Sequence, residues 1–211
     1  GTASLVTCTP FTEDINSLTV GTRIGQVTGW TESASASPAV VTSGLAGTQG
    51  LGTGSSIFNW SAHPFLWSDA GLSQVKFQMD FQTNASGTFD DDRLGWMTQN
   101  TPANSEYVFG IQLDPDTDGT ACASGQNIET YWRNPAFSTS TRIETTIACL
   151  PTLSASSWYR AELVATKLTN TSAKLDVSLT VLDGSGNPGA VVASGTVADT
   201  STWAGGAAPA A

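Results

Sequence analysis

Apolar and polar residues alternate along much of the chain after residue 72. The segment "SQVKFQMDFQT" at 73–83 has an apolar side chain at every second position, with Gln, Lys or Asp between them. The segments at 106–113, 158–166 and 173–183 repeat this pattern. A period of two with one apolar side predicts antiparallel strands that pack one face on a core. No long window has the apolar spacing of an amphipathic helix.

Turn-forming residues separate these strands from others that are predicted at 93–99, 127–133, 142–150 and 190–198. Gly, Asn, Asp and Pro cluster in "DPDTDG" at 114–119 and in "DGSGNPG" at 183–189. Short strands punctuated in this way predict an all-β fold, either a sandwich or a jelly roll.

The segment at 31–56 decides how many domains the sequence predicts. It is rich in Ser, Ala, Gly and Thr, so it could be a linker, but the stretches at 39–44 and 49–52 resemble short strands. We therefore predict a single domain over residues 1–211, with a low-complexity tail at 202–211 that frays.

Composition and charge narrow the possible partners. Only 12% of residues are charged, and 18 acidic residues against 8 basic ones give a formal net charge of −10. The average field of such a protein repels nucleic acid and anionic membranes. Membrane insertion is not expected either, since no apolar run approaches the ~20 residues of a membrane helix.

The composition also bears on where the protein is found. The low charge and the many Ser, Thr, Gly and Asn residues are typical of secreted proteins. The Gly1 start suggests a mature or trimmed chain.

Three cysteines are present, at positions 8, 122 and 149. Cys122 and Cys149 flank a 26-residue segment that reads as a hairpin, so we predict a disulfide between them. Cys8 could instead pair with either one, or all three could be buried thiols, because connectivity cannot be read from sequence. A single His and no Cys-x-x-Cys spacing argue against zinc.

The order of the segments resembles a known architecture. "INSLTVGTRIGQVTGWTE" at 15–32 comes first, "WYRAELVAT" at 158–166 comes late, and "KLDVSLTVLDGSG" at 174–186 follows it. This order is similar to that of the concanavalin A-like (laminin-G-like) jelly-roll superfamily, as found in secreted modular proteins of bacteria. The fold alone does not define a function.

The resemblance implies a jelly-roll sandwich of two antiparallel sheets, with a groove on the concave side and, in many members, structural calcium. It also implies that Trp30 and Trp158 lie in the core. The closing strand of the family is not evident after residue 195, so the edges could be completed by another chain or domain.

Asp114, Asp116 and Asp118 alternate ahead of Gly119, which is how calcium loops begin. Ca²⁺ binds about six to eight oxygens, and this spacing can direct several carboxylates to one point. A complete loop would carry a bidentate acid where this chain has Gly125. We predict a structural calcium site at Asp114, Asp116 and Asp118; the alternative is a solvated acidic turn.

Catalytic signatures are weak. A retaining glycosidase needs two carboxyl groups about 5–5.5 Å apart, and the Glu-x-Asp-x-Glu strand of the superfamily's laminarinase-like hydrolases does not occur in this chain. Candidate residues for a lyase are present at Tyr131, Arg133, Arg93, Gln78 and His63, but the strand motifs typical of the lyases are not. An enzyme is therefore not the leading interpretation.

Glycan binding is the remaining signal. Aromatic rings contact the C–H faces of sugars, and polar neighbours bind the hydroxyls. Trp60 lies in a predicted loop, and several polar residues alternate with apolar ones on the strands. If these strands share the concave sheet, the predicted groove is lined by Gln78, Asp80, Gln112, Glu129, Tyr131 and Arg133. The alternative is an ordinary solvated sheet face.

These observations favour a secreted, non-catalytic carbohydrate-binding module that binds a polysaccharide or glycan and is stabilised by calcium. A structural or adhesive domain that associates with its own copies or with neighbouring domains is the second interpretation. A polysaccharide lyase or glycoside hydrolase with a divergent site is the third.

Overall fold

The structure is a computed structural model that describes ten segments: 13–32, 38–52, 61–62, 73–84, 92–98, 106–114, 126–132, 143–150, 153–168 and 173–198. Within these ranges it contains twelve β-strands and three single-turn 3₁₀ helices, and no α-helix. The chain divides into two compact units, residues 1–72 and 73–211. The single domain predicted from the sequence stays a prediction.

The described part of the first unit contains four short strands: β1 (Thr31–Glu32), β2 (Ala39–Val41), β3 (Gly50–Gly52) and β4 (Ser61–Ala62). Antiparallel pairs form between β1 and β4 and between β2 and β3. Single 3₁₀ turns lie at Ile15–Ser17, Ile24–Gln26 and Leu45–Gly47. The pairing of β2 with β3 confirms that the Gly- and Ser-rich segment holds short strands.

Ile24 and Val40 form the buried apolar centre of the first unit. Backbone hydrogen bonds align their two segments, from Ile24 to Pro38 and from Val40 to Thr22, each with an N···O distance of 2.9 Å. Ladder hydrogen bonds of this kind satisfy the backbone groups that burial of the two side chains removes from water.

The residues of the second unit that the structure describes form eight strands: β5 (Gln74–Gln82), β6 (Asp92–Thr98), β7 (Glu106–Asp114), β8 (Gln126–Trp132), β9 (Ile143–Leu150), β10 (Trp158–Lys167), β11 (Ala173–Leu182) and β12 (Pro188–Val197). They form two four-stranded antiparallel sheets. Sheet I has the order β12-β11-β10-β5, and sheet II has the order β6-β7-β8-β9. The sheets are adjacent, since β12 contacts β9 and β10 contacts β7.

Sheet I buries one face, as the alternation predicts. On β10 the buried residues include Tyr159 and Leu163, and on β11 they include Leu175, Val177 and Leu179. The prediction fails at Val181, which is half-buried, while Thr180 is buried. β10 and β11 pair without a register shift, so Val181 lies opposite Tyr159 and Thr180 lies opposite Arg160. The register between β11 and β12 shifts on both sides of Thr180, so the two exceptions lie beside a β-bulge.

Sheet II has buried residues two positions apart on each of its two central strands. Ile111 and Leu113 on β7 are buried, and so are Ile128 and Thr130 on β8. Ile111 lies opposite Thr130, and Leu113 lies opposite Ile128. The buried positions of both strands therefore fall on the same face of the sheet. The all-β class and the antiparallel pairing predicted from the sequence are both confirmed.

Two local devices fix the ends of sheet I. Asp183 accepts hydrogen bonds from the backbone N–H groups of Ser185 and Asn187, which closes the β11–β12 turn. Gly186 in this turn has a φ of 84°, a conformation that glycine adopts without strain. The second device joins the end of β5 to the start of β10 through Thr83.

The hydroxyl of Thr83, a buried residue, donates to the carbonyl oxygen of Ser154 at 2.7 Å and accepts from the N–H of Ser157 at 2.9 Å. The Tyr159 hydroxyl accepts from the Ser154 N–H at 3.0 Å, and its ring stacks on Phe81 with the ring centroids 5.9 Å apart. Together these bonds hold the loop at 153–157 against the end of β5.

Candidate binding face

The strands of sheet I carry a polar face opposite the buried one. Its central residues are Lys76, Gln78 and Asp80 on β5, Arg160 and Glu162 on β10, and Asp176 on β11. Strand register sets them side by side. Asp80 lies opposite Arg160, and Gln78 lies opposite Glu162. We call this surface the polar face; it continues to Ser178 on β11 and Ser194 on β12, which are register partners.

Arg160 and Asp80 form a two-pronged ion pair. The guanidinium Nε donates to Oδ1 and Nη2 donates to Oδ2, both at 2.7 Å. Each side chain is only about a quarter exposed. The hydrogen bond to Asp80 raises the pKa of Arg160, because that bond stabilises the protonated guanidinium. Paired N–H···O bonds of this kind fix the orientation of both groups.

Glu162 and Gln78 extend the pair into a network. With its amide oriented to match its neighbours, Gln78 donates to Glu162 Oε1 at 2.8 Å and accepts from Arg160 Nε at 3.0 Å. Lys76 forms an ion pair with Glu162 from the neighbouring strand. The side chains of these two strands therefore hold one another in place.

Asp176 anchors the other side of the polar face. Lys174 Nζ lies 2.7 Å from its Oδ2, and the Thr196 hydroxyl donates to its Oδ1 at 2.7 Å. The hydrogen bond from Lys174 is the largest cause that lowers the pKa of Asp176, and the bond from Thr196 adds to it. Asp176 is thus an ionised acceptor with both oxygens engaged.

Trp158 is the aromatic residue of this surface. It is the first residue of β10, lies opposite Gln82, and occupies the strand position two before Arg160. It is half-buried, whereas the resemblance placed it in the core. Tyr159 takes the buried position instead, because neighbouring residues of a strand point to opposite faces. Trp30 is also half-buried, and its Nε1 donates to Glu13 Oε2 at 3.1 Å.

The binding residues predicted from the sequence do not share one sheet. Gln78 and Asp80 lie on the polar face of sheet I. Positions 112, 129 and 131 belong to β7 and β8 of sheet II, where Gln112 lies opposite Glu129. Tyr131 follows two positions later on β8. Trp60 and Arg133 lie outside the described residues.

The predicted calcium and disulfide sites are only partly described. Asp114 is the last residue of β7, while Asp116 and Asp118 lie outside the described residues. Within the described ranges no group of three His, Cys, Asp or Glu residues could hold a metal, so calcium at 114–118 stays a prediction. Cys149 is disulfide-bonded. Cys122 and Cys8 fall outside the described residues, so the pairing with Cys122 stays a prediction.

Arg160 and Glu162 are among the polar-face residues that the sequence did not single out. The sequence does indicate that both side chains point away from the core, because positions 160 and 162 alternate with Tyr159, Ala161 and Leu163. What the sequence could not show is that they meet Asp80 and Gln78, which lie on a strand about 80 residues away.

Comparison of the chain with protein-family models, curated proteins and solved structures found no match. In the part of the chain that the structure describes, no helix is long and apolar enough to cross a membrane. Among the described residues, the polar face is the surface whose chemistry points to a function. That face offers fixed hydrogen-bond donors and acceptors, with a half-exposed indole at one end.

Proposed function

We propose that this chain is a non-catalytic carbohydrate-binding module of a secreted protein, and that a glycan binds on the polar face of sheet I. The observation that carries the proposal is the hydrogen-bonded row formed by Arg160, Asp80, Gln78 and Glu162. The proposed site includes Gln78 and Asp80, which the sequence predicted as binding residues. It also includes their partners on β10, Arg160 and Glu162.

The row suits sugar hydroxyls for an energetic reason. Binding usually orders flexible side chains, at a cost of about 0.5–1.5 kcal/mol for each one immobilised. On the polar face, neighbouring residues already hold Gln78, Asp80 and Arg160, so little further ordering is needed. The exposed Gln78 amide and the hydroxyls of Ser178 and Ser194 are suited to neutral hydroxyl partners.

Trp158 supplies the apolar part of the proposed site. A half-exposed indole at the edge of a polar row offers a flat surface for the C–H face of a pyranose ring, and its N–H offers a donor. Apolar contact beside a few placed polar groups is the usual composition of a small-molecule site.

The arrangement supports binding more than hydrolysis. A glycosidase needs one carboxyl group that gives a proton and a second that attacks or activates water. On the polar face Asp80 is bound by Arg160, Glu162 by Lys76 and Asp176 by Lys174. The three carboxylates are engaged with cations, which leaves them in a structural role.

The jelly-roll architecture, secretion and calcium belong to the same proposal. Two adjacent four-stranded antiparallel sheets are the elements that a jelly-roll sandwich requires. The disulfide at Cys149 suits an oxidising compartment. Calcium at Asp114, Asp116 and Asp118 would stabilise the loop that follows β7, so a chelator should lower the melting temperature; an unchanged melting temperature would rule out that site.

Affinity gel electrophoresis against a panel of polysaccharides tests the binding proposal. Gln78→Ala should weaken retention about tenfold, equivalent to about 1.4 kcal/mol, because it removes an exposed amide from the row. Gln26→Ala, at an exposed position of the first unit, is the matched control and should not change retention. Equal retention of the two variants, or no retention of the wild type on any polysaccharide, would contradict the proposal.

One observation favours the adhesive alternative. Met79 on β5 is 41% exposed although its alternation places it on the core-facing side. In the described residues no strand pairs with the outer side of β5, and an open edge of this kind invites strand addition. Light scattering across a concentration series tests it: self-association should occur and should be lost in Met79→Lys, and a wild-type protein that stays monomeric would exclude it.

A further inference from the structure

The charges of the polar face are balanced within the face itself. Its described cations are Lys76, Arg160 and Lys174, and its described carboxylates are Asp80, Glu162 and Asp176. Each cation lies against one carboxylate. The formal charge of the surface is therefore zero, while the whole chain carries −10.

Arg160 is the group that would recognise an acidic sugar, because a guanidinium binds a carboxylate through two parallel N–H bonds. Here the edge formed by Nε and Nη2 is already filled by Asp80, with both N···O distances at 2.7 Å. Nε also lies 3.0 Å from the Gln78 amide oxygen. A uronate that displaced Asp80 would leave that half-buried carboxylate without its partner, which is strongly unfavourable. A uronate that approached the remaining N–H groups of Arg160 would meet a cation whose charge Asp80 already balances.

The two lysines are less tightly held. Their side chains are 51% and 40% exposed, and exposed ion pairs contribute little to stability. A ligand anion that drew Lys76 away would, however, come to lie beside the uncompensated carboxylate of Glu162. The overall negative charge of the protein opposes a polyanion further at low ionic strength.

From this balance we infer that the glycan bound on the polar face is an uncharged polysaccharide, and that uronate- or sulfate-bearing polysaccharides are excluded. The inference rests on the proposed function and names the substrate class of the same site. The carboxylates of the polar face pair with its cations. The ligand is therefore bound through hydrogen bonds to neutral groups and through contact with the indole of Trp158.

Salt dependence separates the two classes of ligand. Retention of the wild type is measured on neutral gels (xylan, β-glucan and galactomannan) and on anionic gels (polygalacturonate, alginate and chondroitin sulfate). With a neutral glycan, affinity should change by about twofold or less between about 0.02 M and about 0.5 M NaCl, because no charge pair forms. Binding to an anionic gel that weakens as salt rises would overturn the inference and leave glycan binding intact.

A variant tests whether Asp80 is what excludes acidic sugars. Asp80→Asn removes the charge that occupies Arg160, so it should gain salt-sensitive retention on polygalacturonate. Asp183→Asn makes the same change in net charge at an exposed turn outside the polar face and should gain none. Equal behaviour of the two variants would overturn the role given to Asp80. Failure of the wild type to bind any gel would overturn the proposed function, and the inference with it.

Discussion

The hydroxyl of Thr83 gives the sharpest test of how sheet I is held together. Thr83→Val keeps the shape of a buried side chain and removes only the hydroxyl. In the wild type that hydroxyl serves two backbone groups, the Ser154 carbonyl at 2.7 Å and the Ser157 N–H at 2.9 Å. The backbone bond from Thr83 N–H to the Ser157 carbonyl does not involve the side chain and should persist.

The expected loss follows from the two groups left without a partner. A buried polar group that loses its hydrogen bond costs about 1–3 kcal/mol. Ser154 is exposed and Ser157 is half-buried, so water can reach part of this site. We therefore expect Thr83→Val to lower the free energy of unfolding by about 1–2 kcal/mol, which is the lower part of that range.

Thr130→Val is the matched control, because it is the same chemical change at a second buried threonine. The Thr130 hydroxyl has no hydrogen-bond partner in the part of the chain that the structure describes. Removing an unsatisfied buried hydroxyl should leave stability unchanged or raise it by about 1 kcal/mol. Thr83→Val is thus expected to lower stability and Thr130→Val is not, although the residue types are identical.

Urea unfolding followed by tryptophan fluorescence measures both variants. The midpoint should fall for Thr83→Val and should stay or rise for Thr130→Val, with the slope unchanged in each case. In thermal melts the loss at Thr83 corresponds to roughly 2–8 °C. If both variants lost stability equally, the hydrogen bonds of Thr83 would not explain its effect, and the reasoning would be refuted.

Three further predictions follow from other local contacts. Tyr159→Phe should cost about 1 kcal/mol, because it removes the acceptor of the Ser154 N–H; in urea unfolding its effect should not add to that of Thr83→Val, and full additivity would argue against a shared loop. Gly44→Ala should destabilise the first unit by about 1–3 kcal/mol in thermal melts, because its Cβ would lie 2.4 Å from the Gln49 carbonyl oxygen; Gly184→Ala has open space and should be neutral, and equal losses would refute the steric argument. The pKa of Asp183 is lowered, chiefly by the side chain of Asn187. The stabilising effect of the ionised Asp183 should therefore be complete above its unfolded-state pKa of about 3.9 and be lost as the pH falls through its lower folded-state pKa. In an unfolding series toward acid pH the stability of the wild type should fall relative to that of Asp183→Asn, and a stability difference that stays constant with pH would contradict this.

Part of the proposed site could be read from the sequence. Gln78 and Asp80 were predicted as outward-facing polar residues of a strand, and the structure places them on the polar face. Gln112, Glu129 and Tyr131 come from strands with the same alternation, yet they lie on the other sheet. Alternation shows that a strand has a polar side, but it carries no information on which sheet that strand joins.

The sequence by itself determined where the strands run and, with exceptions such as Met79 and Val181, which residues they bury. The eight long strands of the second unit lie close to the predicted segments, and residues such as Leu163 and Leu175 are buried as the alternation requires. These features are local, since they depend on a period of two and on the turn residues between strands. A turn such as that at Asp183 closes through bonds to residues two and four positions away.

Only the tertiary structure decided which charges meet. Arg160 lies opposite Asp80, Glu162 lies opposite Gln78, and the register of β10 with β5 makes both pairs. That register joins segments about 80 residues apart and would change every pair if it slipped by one residue. The neutral, hydrogen-bonded surface on which the proposed function rests is therefore a property of strand pairing, because no local stretch of the chain contains both members of those pairs.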